Sequence, residues 1–143
     1  MYEAYVRRGL ARPNPSGLRA TPHQLLPTTE VLVAVHHGQV IATISLVRDG
    51  KLGLPMEIAY PTEVAALRAR GLYLAEVSCL ADQRLARPAG VAWSGGCHAP
   101  AILMRLMSLM AQCALARGVN QLLIAVRPLL SAVYRVSADR RYS

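Results

Sequence analysis

Phenylalanine is missing from this sequence, and tryptophan occurs once, as Trp93. A core must therefore be assembled mainly from Leu, Val, Ala, Ile and Met. Lysine is almost absent: Lys51 stands alone beside fifteen arginines. Acids number eight, which leaves a net charge of +8. Cysteine is scarce. Cys79, Cys97 and Cys113 are too scattered for a disulfide framework or a CxxC metal site, so free thiols in a reducing compartment are the plainer reading. His23, His36, His37 and His98 are too dispersed for zinc, and no carboxylate cluster suggests magnesium, so no metal is expected. Long apolar runs are lacking as well. The longest stretch, residues 99–116, is interrupted by Arg105, Ser108 and Gln112 and makes a poor membrane span. The opening MYEAYVRRGLARPNPS has no apolar segment of the signal-peptide kind. Together these absences lead us to expect a soluble, cytoplasmic protein without a transmembrane segment.

What is present suits one domain. A chain of 143 residues can bury a hydrophobic core but has no room for a second one. Apolar residues make up 53% and mean hydropathy is +0.28, which argues against disorder. The positive field should attract an acidic partner: nucleic acid, an anionic membrane, a phosphorylated ligand or an acidic carrier protein. A GC-rich genome would produce the same preference for arginine over lysine. Nucleic acid is the weakest of these partners, because the arginines are scattered and no aromatic platform or recognition-helix pattern accompanies them.

Along the chain, residues 2–9 read as a short helix ended by Gly9 and the Pro13/Pro15 pair, and residues 12–28 as a proline-rich loop or tether. VLVAVHHGQVIATISLVRDG then has two β-rich runs, roughly 31–36 and 40–48, around His37-Gly38-Gln39, the pattern of an antiparallel hairpin. KLGLPMEIAYP reads as a loop with apolar anchors. Pro61 and TEVAALRAR predict a helix with Glu63 in its first turn and Arg68 and Arg70 at its end, stopped by Gly71. LYLAEVSCL is the third strand. Residues 82–100 carry Pro88, Gly90, Gly95, Gly96 and Pro100 and read as a long loop. AILMRLMSLMAQCALARG is the strongest helix pattern, with one narrow polar stripe of Arg105, Ser108 and Gln112, and should be covered on most sides, by a sheet and by a ligand or subunit. QLLIAVRP gives a fourth strand and LLSAVYRV a short helix. The fold expected is therefore mixed α/β, with antiparallel strands first and a crossover unit second.

Three stretches carry a resemblance: TTEVLVAVHHGQVIATISLVRD, LGLPMEIAYPTEVAALRARGLYLAEVSCLA and LLIAVRPLLSAVYR. In order and motif they resemble the N-acyl amino acid synthase branch of the GNAT acyltransferase superfamily, which is similar to the acyl-homoserine lactone synthases. The resemblance implies a GNAT-like mixed central sheet with flanking helices over residues 28–136, lacking the family's last strands. It leaves residues 1–27 as an N-terminal helix with a proline-rich segment and 137–143 as a flexible tail. It also implies an acyltransferase that moves a long-chain acyl group from an acyl carrier protein thioester to the amino group of an amino acid. No tightly bound cofactor is implied, only acyl-carrier protein, or acyl-CoA, as co-substrate. The family presents an acid and an arginine on the strand that reads AEVSCL: Glu76 matches the acid, and Cys79 takes the arginine's place. Pro128 and Tyr134 match the family's later motif, whereas Leu129 and Leu130 replace its arginine and second histidine.

Amide formation from a thioester needs a neutral amine, donors for the oxyanion, and a route for the proton. Glu76 is the candidate base. Strand alternation puts it on one sheet face with Leu74 and Ser78, so Glu76 and Ser78 can line one cleft as the catalytic pair. Apolar neighbours would raise the acid's pKa and make it a better base. A structural acid paired with an arginine is the alternative. The resemblance to the GNAT fold implies a gap for the thioester arm between two parallel strands, here 72–80 and 121–127. Leu80, Arg84, Arg87, Trp93 and Tyr134 are the candidate acyl-donor contacts; the arginines can equally be solvated, and Trp93 can equally anchor its loop to the core. QRLARPAG is a loose imitation of a pyrophosphate-binding loop, with Pro88 where a free amide is needed. That favours a carrier-protein donor, whose acidic surface suits the positive field. Met104, Met107 and Met110 can form an adaptable acyl-chain pocket, or simply pack the core. Two other classes remain open, a non-catalytic or degenerate GNAT-like subunit and a CoA-dependent N-acetyltransferase. A homo-dimer completing the sheet is a further expectation.

Overall fold

The computed structural model describes residues 2–7, 9, 11–18, 20–82 and 99–125. Helix α1 spans Tyr2–Arg7, and a one-turn 3-10 segment covers Pro22–Leu25. Strands β1 (Thr29–His36) and β2 (Gln39–Arg48) follow, then a second 3-10 turn at Pro55–Ile58 and helix α2 at Pro61–Ala69. Strand β3 is Leu74–Asp82, helix α3 Ala99–Ala116 and strand β4 Gln121–Ile124. The sheet has four strands in the order β1-β2-β3-β4, antiparallel at the first two pairings and parallel at the last. This is the antiparallel-then-crossover arrangement expected from the sequence. The anticipated loop after Asp82 and the helix LLSAVYRV lie outside the described residues.

The hairpin turn is the two-residue loop His37-Gly38, since His36 pairs with Gln39. Both loop residues have positive φ, 47° and 72°, the requirement of a type I′ turn whose twist matches the flanking strands. Helices α2 and α3 end alike. Gly71 and Gly118 adopt φ 74° and 76°. Leu72 N–H then donates back to Leu67 O (3.4 Å), and Val119 N–H to Ala114 O (3.0 Å). Each such end hands the chain to a strand. The two strand starts are fastened together by Tyr73 N–H donating to Asn120 Oδ1 (2.8 Å) and Asn120 N–H donating to Tyr73 O (3.1 Å).

Two clusters fill the two faces of the sheet. On one face Ala42, Ile44, Leu46, Ala75 and Val77 meet Leu106, Met110 and Ala114 of α3, residues four apart that form one stripe along the helix. On the other face Val47 and Leu74 meet Leu54 and Val64, which closes the Pro55–Ile58 turn and α2 against the sheet. Within the single chain the sheet covers one side of α3, and Met104, Leu109 and Leu115 are exposed, the part expected to be covered by a ligand or subunit. A sheet covers one face of a helix, and nothing among the described residues wraps the rest. Helix α1 is tied to β3 by the Tyr5 hydroxyl, which donates to Leu80 O (2.9 Å). No described helix is long and apolar enough to cross a membrane.

Candidate active site

Glu76 sits in the middle of β3, opposite Val47 of β2, and is 6% exposed. Its neighbours Ala75 and Val77 point into the α3 cluster, so alternation turns Glu76 to the other face together with Leu74 and Ser78. There it borders a cavity of about 190 Å³. Ser45 and Val47 of β2 form part of the floor beside Glu76, Ser78 and Cys79 of β3. Pro55, Met56, Ala59 and Tyr60 form one wall, and Thr21 and Gln24 another. Ala125, just past β4, completes the rim. Glu76 and Ser78 thus share a cleft as the alternation implied.

One partner holds the acid. Met56 N–H donates to Glu76 Oε2 at 2.7 Å. Burial pushes the carboxyl above the ordinary carboxylate range, against the opposing pull of the Met56 hydrogen bond and the charge of His23. Among the described residues no arginine side chain is ion-paired with Glu76. Such an acid is a stronger proton acceptor than a solvated one, and its other oxygen, without a hydrogen bond among the described residues, is the one available to a ligand.

The described pairing with β4 ends one residue past Glu76. β4 pairs with β3 only from Leu74↔Gln121 to Val77↔Ile124. From Ser78 onward β3 has no partner on that side among the described residues. Just there the chain bulges: Cys79 and Leu80 together oppose Ile44, so Thr43 pairs with Ala81 while Ser45 pairs with Ser78. Cys79 takes φ 51°, a left-handed conformation usually filled by glycine at such bulges. Its carbonyl accepts from Thr43 Oγ1 (3.2 Å) and its Sγ from Gln24 Nε2 (3.5 Å), while Ser78 Oγ lies 3.6 Å from the same sulfur.

The bulge also moves Leu80. An unbroken strand would keep its side chain on the Glu76 face; instead it packs against the α3 cluster and is not a lining residue of the cavity. The three methionines do not converge. Met104 is 64% exposed, Met107 is half-buried, and Met110 is 2% exposed inside the core on the sheet face opposite Glu76. Arg84, Arg87, Trp93 and Tyr134 lie outside the described residues, as do Pro128, Leu129 and Leu130. Among the described residues no group of three or more His, Cys, Asp or Glu is placed to hold a metal ion.

Sequence reasoning missed the two walls. Their signal was present as Thr21-Pro22-His23-Gln24 and Leu54-Pro55-Met56-Glu57, each with proline at the first helical position and a side-chain acceptor three residues after the cap. Thr21 N–H donates to Gln24 Oε1 (3.0 Å) and Leu54 N–H to Glu57 Oε1. Glu57 is in turn gripped by Arg68, whose Nη1 donates to Glu57 Oε2 (2.8 Å) while Nε and Nη2 donate to Asp49 at 2.6 and 2.7 Å. These groups line a broader recess of about 590 Å³ with Lys51 and Tyr73, in which Asp49, Glu57 and Arg68 satisfy one another. The smaller cavity is the one with an acid facing an uncommitted space.

A buried acid facing a cavity beside a parallel strand pair suits acyl transfer, and comparison with known proteins agrees. A family model described as N-acyl amino acid synthase FeeM matches residues 1–138. The chain belongs to the FeeM family. It is thereby a member of the GNAT superfamily, with GNAT-type acyl-transfer chemistry. The solved structure of FeeM, an N-acyl amino acid synthase from uncultured soil microbes, is 27% identical with a TM-score of 0.72, covering 93% of this chain and 68% of that one. A predicted acetyltransferase with acetyl-CoA from Clostridium acetobutylicum is 13% identical with a TM-score of 0.47, over 81% of this chain and 60% of its own, too distant to bear on the site. No curated protein matches the chain.

Proposed function

We propose that the protein transfers an acyl group from the thioester of an acyl carrier protein to the amino group of an amino acid. The observation that carries this reading is Glu76: a buried carboxyl, held through one oxygen by Met56 N–H, facing a cavity beside the end of the described β3–β4 pairing. Membership of the FeeM family supports the acceptor class.

In this reading the thioester arm lies in the gap beyond Val77 and Ile124. Glu76 takes a proton from the ammonium group of the acceptor, and the freed amine attacks the thioester carbon. The C–N bond forms as the carbonyl becomes an oxyanion, and backbone N–H groups of β3 beside the cavity would serve as donors to it. The C–S bond then breaks and the thiolate leaves. The nitrogen sheds two protons in all, one carried off on the thiol and one released to solvent. Ser78, next to Glu76 in the cleft, orients the amine or relays that proton. The net charge of +8 supports an acidic carrier as the donor.

Intact-mass analysis after mixing the protein with acyl-carrier protein or acyl-CoA and a pool of amino acids tests the reading. Amide formed from the carrier-bound donor is the expected product. Amide formed only from acyl-CoA would make the protein a CoA-dependent N-acyltransferase. Tight carrier binding without turnover would support the non-catalytic alternative, which the replacement of the family's arginine by Cys79 favours.

A further inference from the structure

The cavity beside Glu76 has a second hydroxyl in its floor that the proposed reaction leaves unused. Ser45 of β2 lies between Ile44 and Leu46, which both pack on the α3 face, so alternation turns it to the Glu76 face with Val47. It lines the cavity and is 1% exposed. Its side chain makes no hydrogen bond among the described residues. Burying a hydroxyl without a partner is unfavourable, and such a group calls for a bound molecule that satisfies it. The strand register supplies a companion. Ser45 stands directly opposite Ser78, and Val47 directly opposite Glu76. Side chains opposed in this way have Cβ atoms about 4.5–5.5 Å apart. Two oxygens hydrogen-bonded to one nitrogen at ordinary length have about that spacing. Ser78 Oγ is directed as a donor toward Cys79 Sγ (3.6 Å), which leaves its oxygen free to accept. Glu76 lies two residues before Ser78 on the same face, with Oε2 held by Met56 N–H and its other oxygen without a hydrogen bond among the described residues. Two hydroxyls and one carboxyl therefore border a single cavity of about 190 Å³.

We infer that Ser45 and Ser78 together hold the acceptor's nitrogen and make the site selective for primary amines. This rests on the acceptor role given to the cavity above. Once Glu76 has taken one proton, a primary amine keeps two N–H bonds and a lone pair. One N–H donates to Ser45 Oγ and the other to Ser78 Oγ, which leaves the lone pair directed away from the sheet for attack on the thioester carbon. A secondary amine keeps only one N–H. One hydroxyl then stays buried and unpaired, and the extra carbon meets the floor where the second hydrogen bond would form. A site built to hydrogen-bond its substrate rejects an analogue lacking the group far better than an apolar pocket does.

The test measures binding with no acyl donor present. Each protein amino acid except proline is titrated into the wild-type chain and into Ser45→Ala, followed by the N-methyl form of those that bind, with the amide signals of β2 and β3 read by NMR. The wild type is expected to bind at least one primary amine about tenfold or more tighter than its N-methyl form. In Ser45→Ala the two forms should bind within about twofold of each other, because the primary amine is weakened while the N-methyl form is unchanged. A preference absent from the wild type overturns the inference, and so does one that survives in Ser45→Ala. A preference lost only because the N-methyl form gains affinity, the mark of a steric role, overturns it as well, as does a failure of every amino acid to bind. If Ser45→Ala does not fold, Ser78→Ala carries the same comparison with the same outcomes. Binding reads the inference whether or not an amide is made. A chain that prefers primary amines but makes no amide fails the proposed reaction alone, whereas amide formation with a preference unmoved by Ser45→Ala fails the inference alone.

Discussion

Glu76 is a residue at which folding and function pull in opposite directions. Its carboxyl is raised above the ordinary range because it is buried. An acid with a raised folded pKa binds its proton more tightly folded than unfolded, so its contribution to stability is complete below the unfolded pKa and is lost as pH rises through the folded one. Ionised Glu76 therefore weakens the fold at neutral pH. Glu76→Gln keeps an acceptor for Met56 N–H and removes the charge. It should unfold at higher urea concentration than wild type at neutral pH, with the difference closing under acid conditions. Urea melts at both pH values check this, and a less stable variant at neutral pH would contradict it. The residue itself was legible in the sequence, as a lone acid in LYLAEVSCL with Ala75 and Val77 alternating around it. The bulge three residues on was not. Cys79 is an ordinary strand residue by composition, and nothing in its neighbours announces φ 51°, so the reversal of Leu80 to the α3 face could not be read.

At the scale of elements, the strands and long helices were readable because their apolar periodicity extends over many residues. The hairpin, α2 with Pro61 and Gly71 at its ends, and α3 all fall where the pattern put them. The two 3-10 turns that wall the site are four residues each, too short for any period, and only their caps give them away. One of them is braced by charge. Arg68 joins Asp49 to Glu57, Glu57 accepts from Leu54 N–H, and the same turn presents Met56 N–H to Glu76. The Arg68 side chain is 35% exposed, so solvent screening discounts the ion pairs. Sharing one guanidinium between two carboxylates in good geometry nevertheless makes the loss measurable, and Arg68→Ala should cost about 1–2 kcal/mol in a denaturant melt. Glu57 is held below the ordinary carboxylate range, chiefly by its hydrogen bond to Arg68. That stabilisation is present above the unfolded pKa and is lost as pH falls through the lowered folded value. The wild-type advantage over Arg68→Ala should accordingly shrink in acid, and an equal gap at every pH would count against the bracing role.

Across the whole molecule, the sheet divides labour between its faces. The α3 face is a packed aliphatic cluster without phenylalanine, in which Met110 is a core residue. The opposite face carries Glu76, Ser78 and the cavity. This explains why the methionine reading was only partly legible: helix periodicity shows which α3 residues share a stripe, and it cannot show on which side of the sheet that stripe will lie. A gap between β3 and β4 is implied only by the resemblance to acyltransferases; among the described residues the two strands pair from Leu74↔Gln121 to Val77↔Ile124. Where the two strands are described together, the Tyr73–Asn120 clasp aligns their starts. Acyl transfer, on this account, needs both a gap for the thioester arm and the one acid beside it. The most direct trial is the single-turnover rate of amide formation from acyl-carrier protein, wild type against Glu76→Gln, across acid to alkaline pH. The rate for wild type should rise through the elevated titration of Glu76. The variant should lack that limb and be slower by about two to four orders of magnitude, with an unchanged circular dichroism spectrum. A folded Glu76→Gln protein that turns over at the wild-type rate would contradict the account.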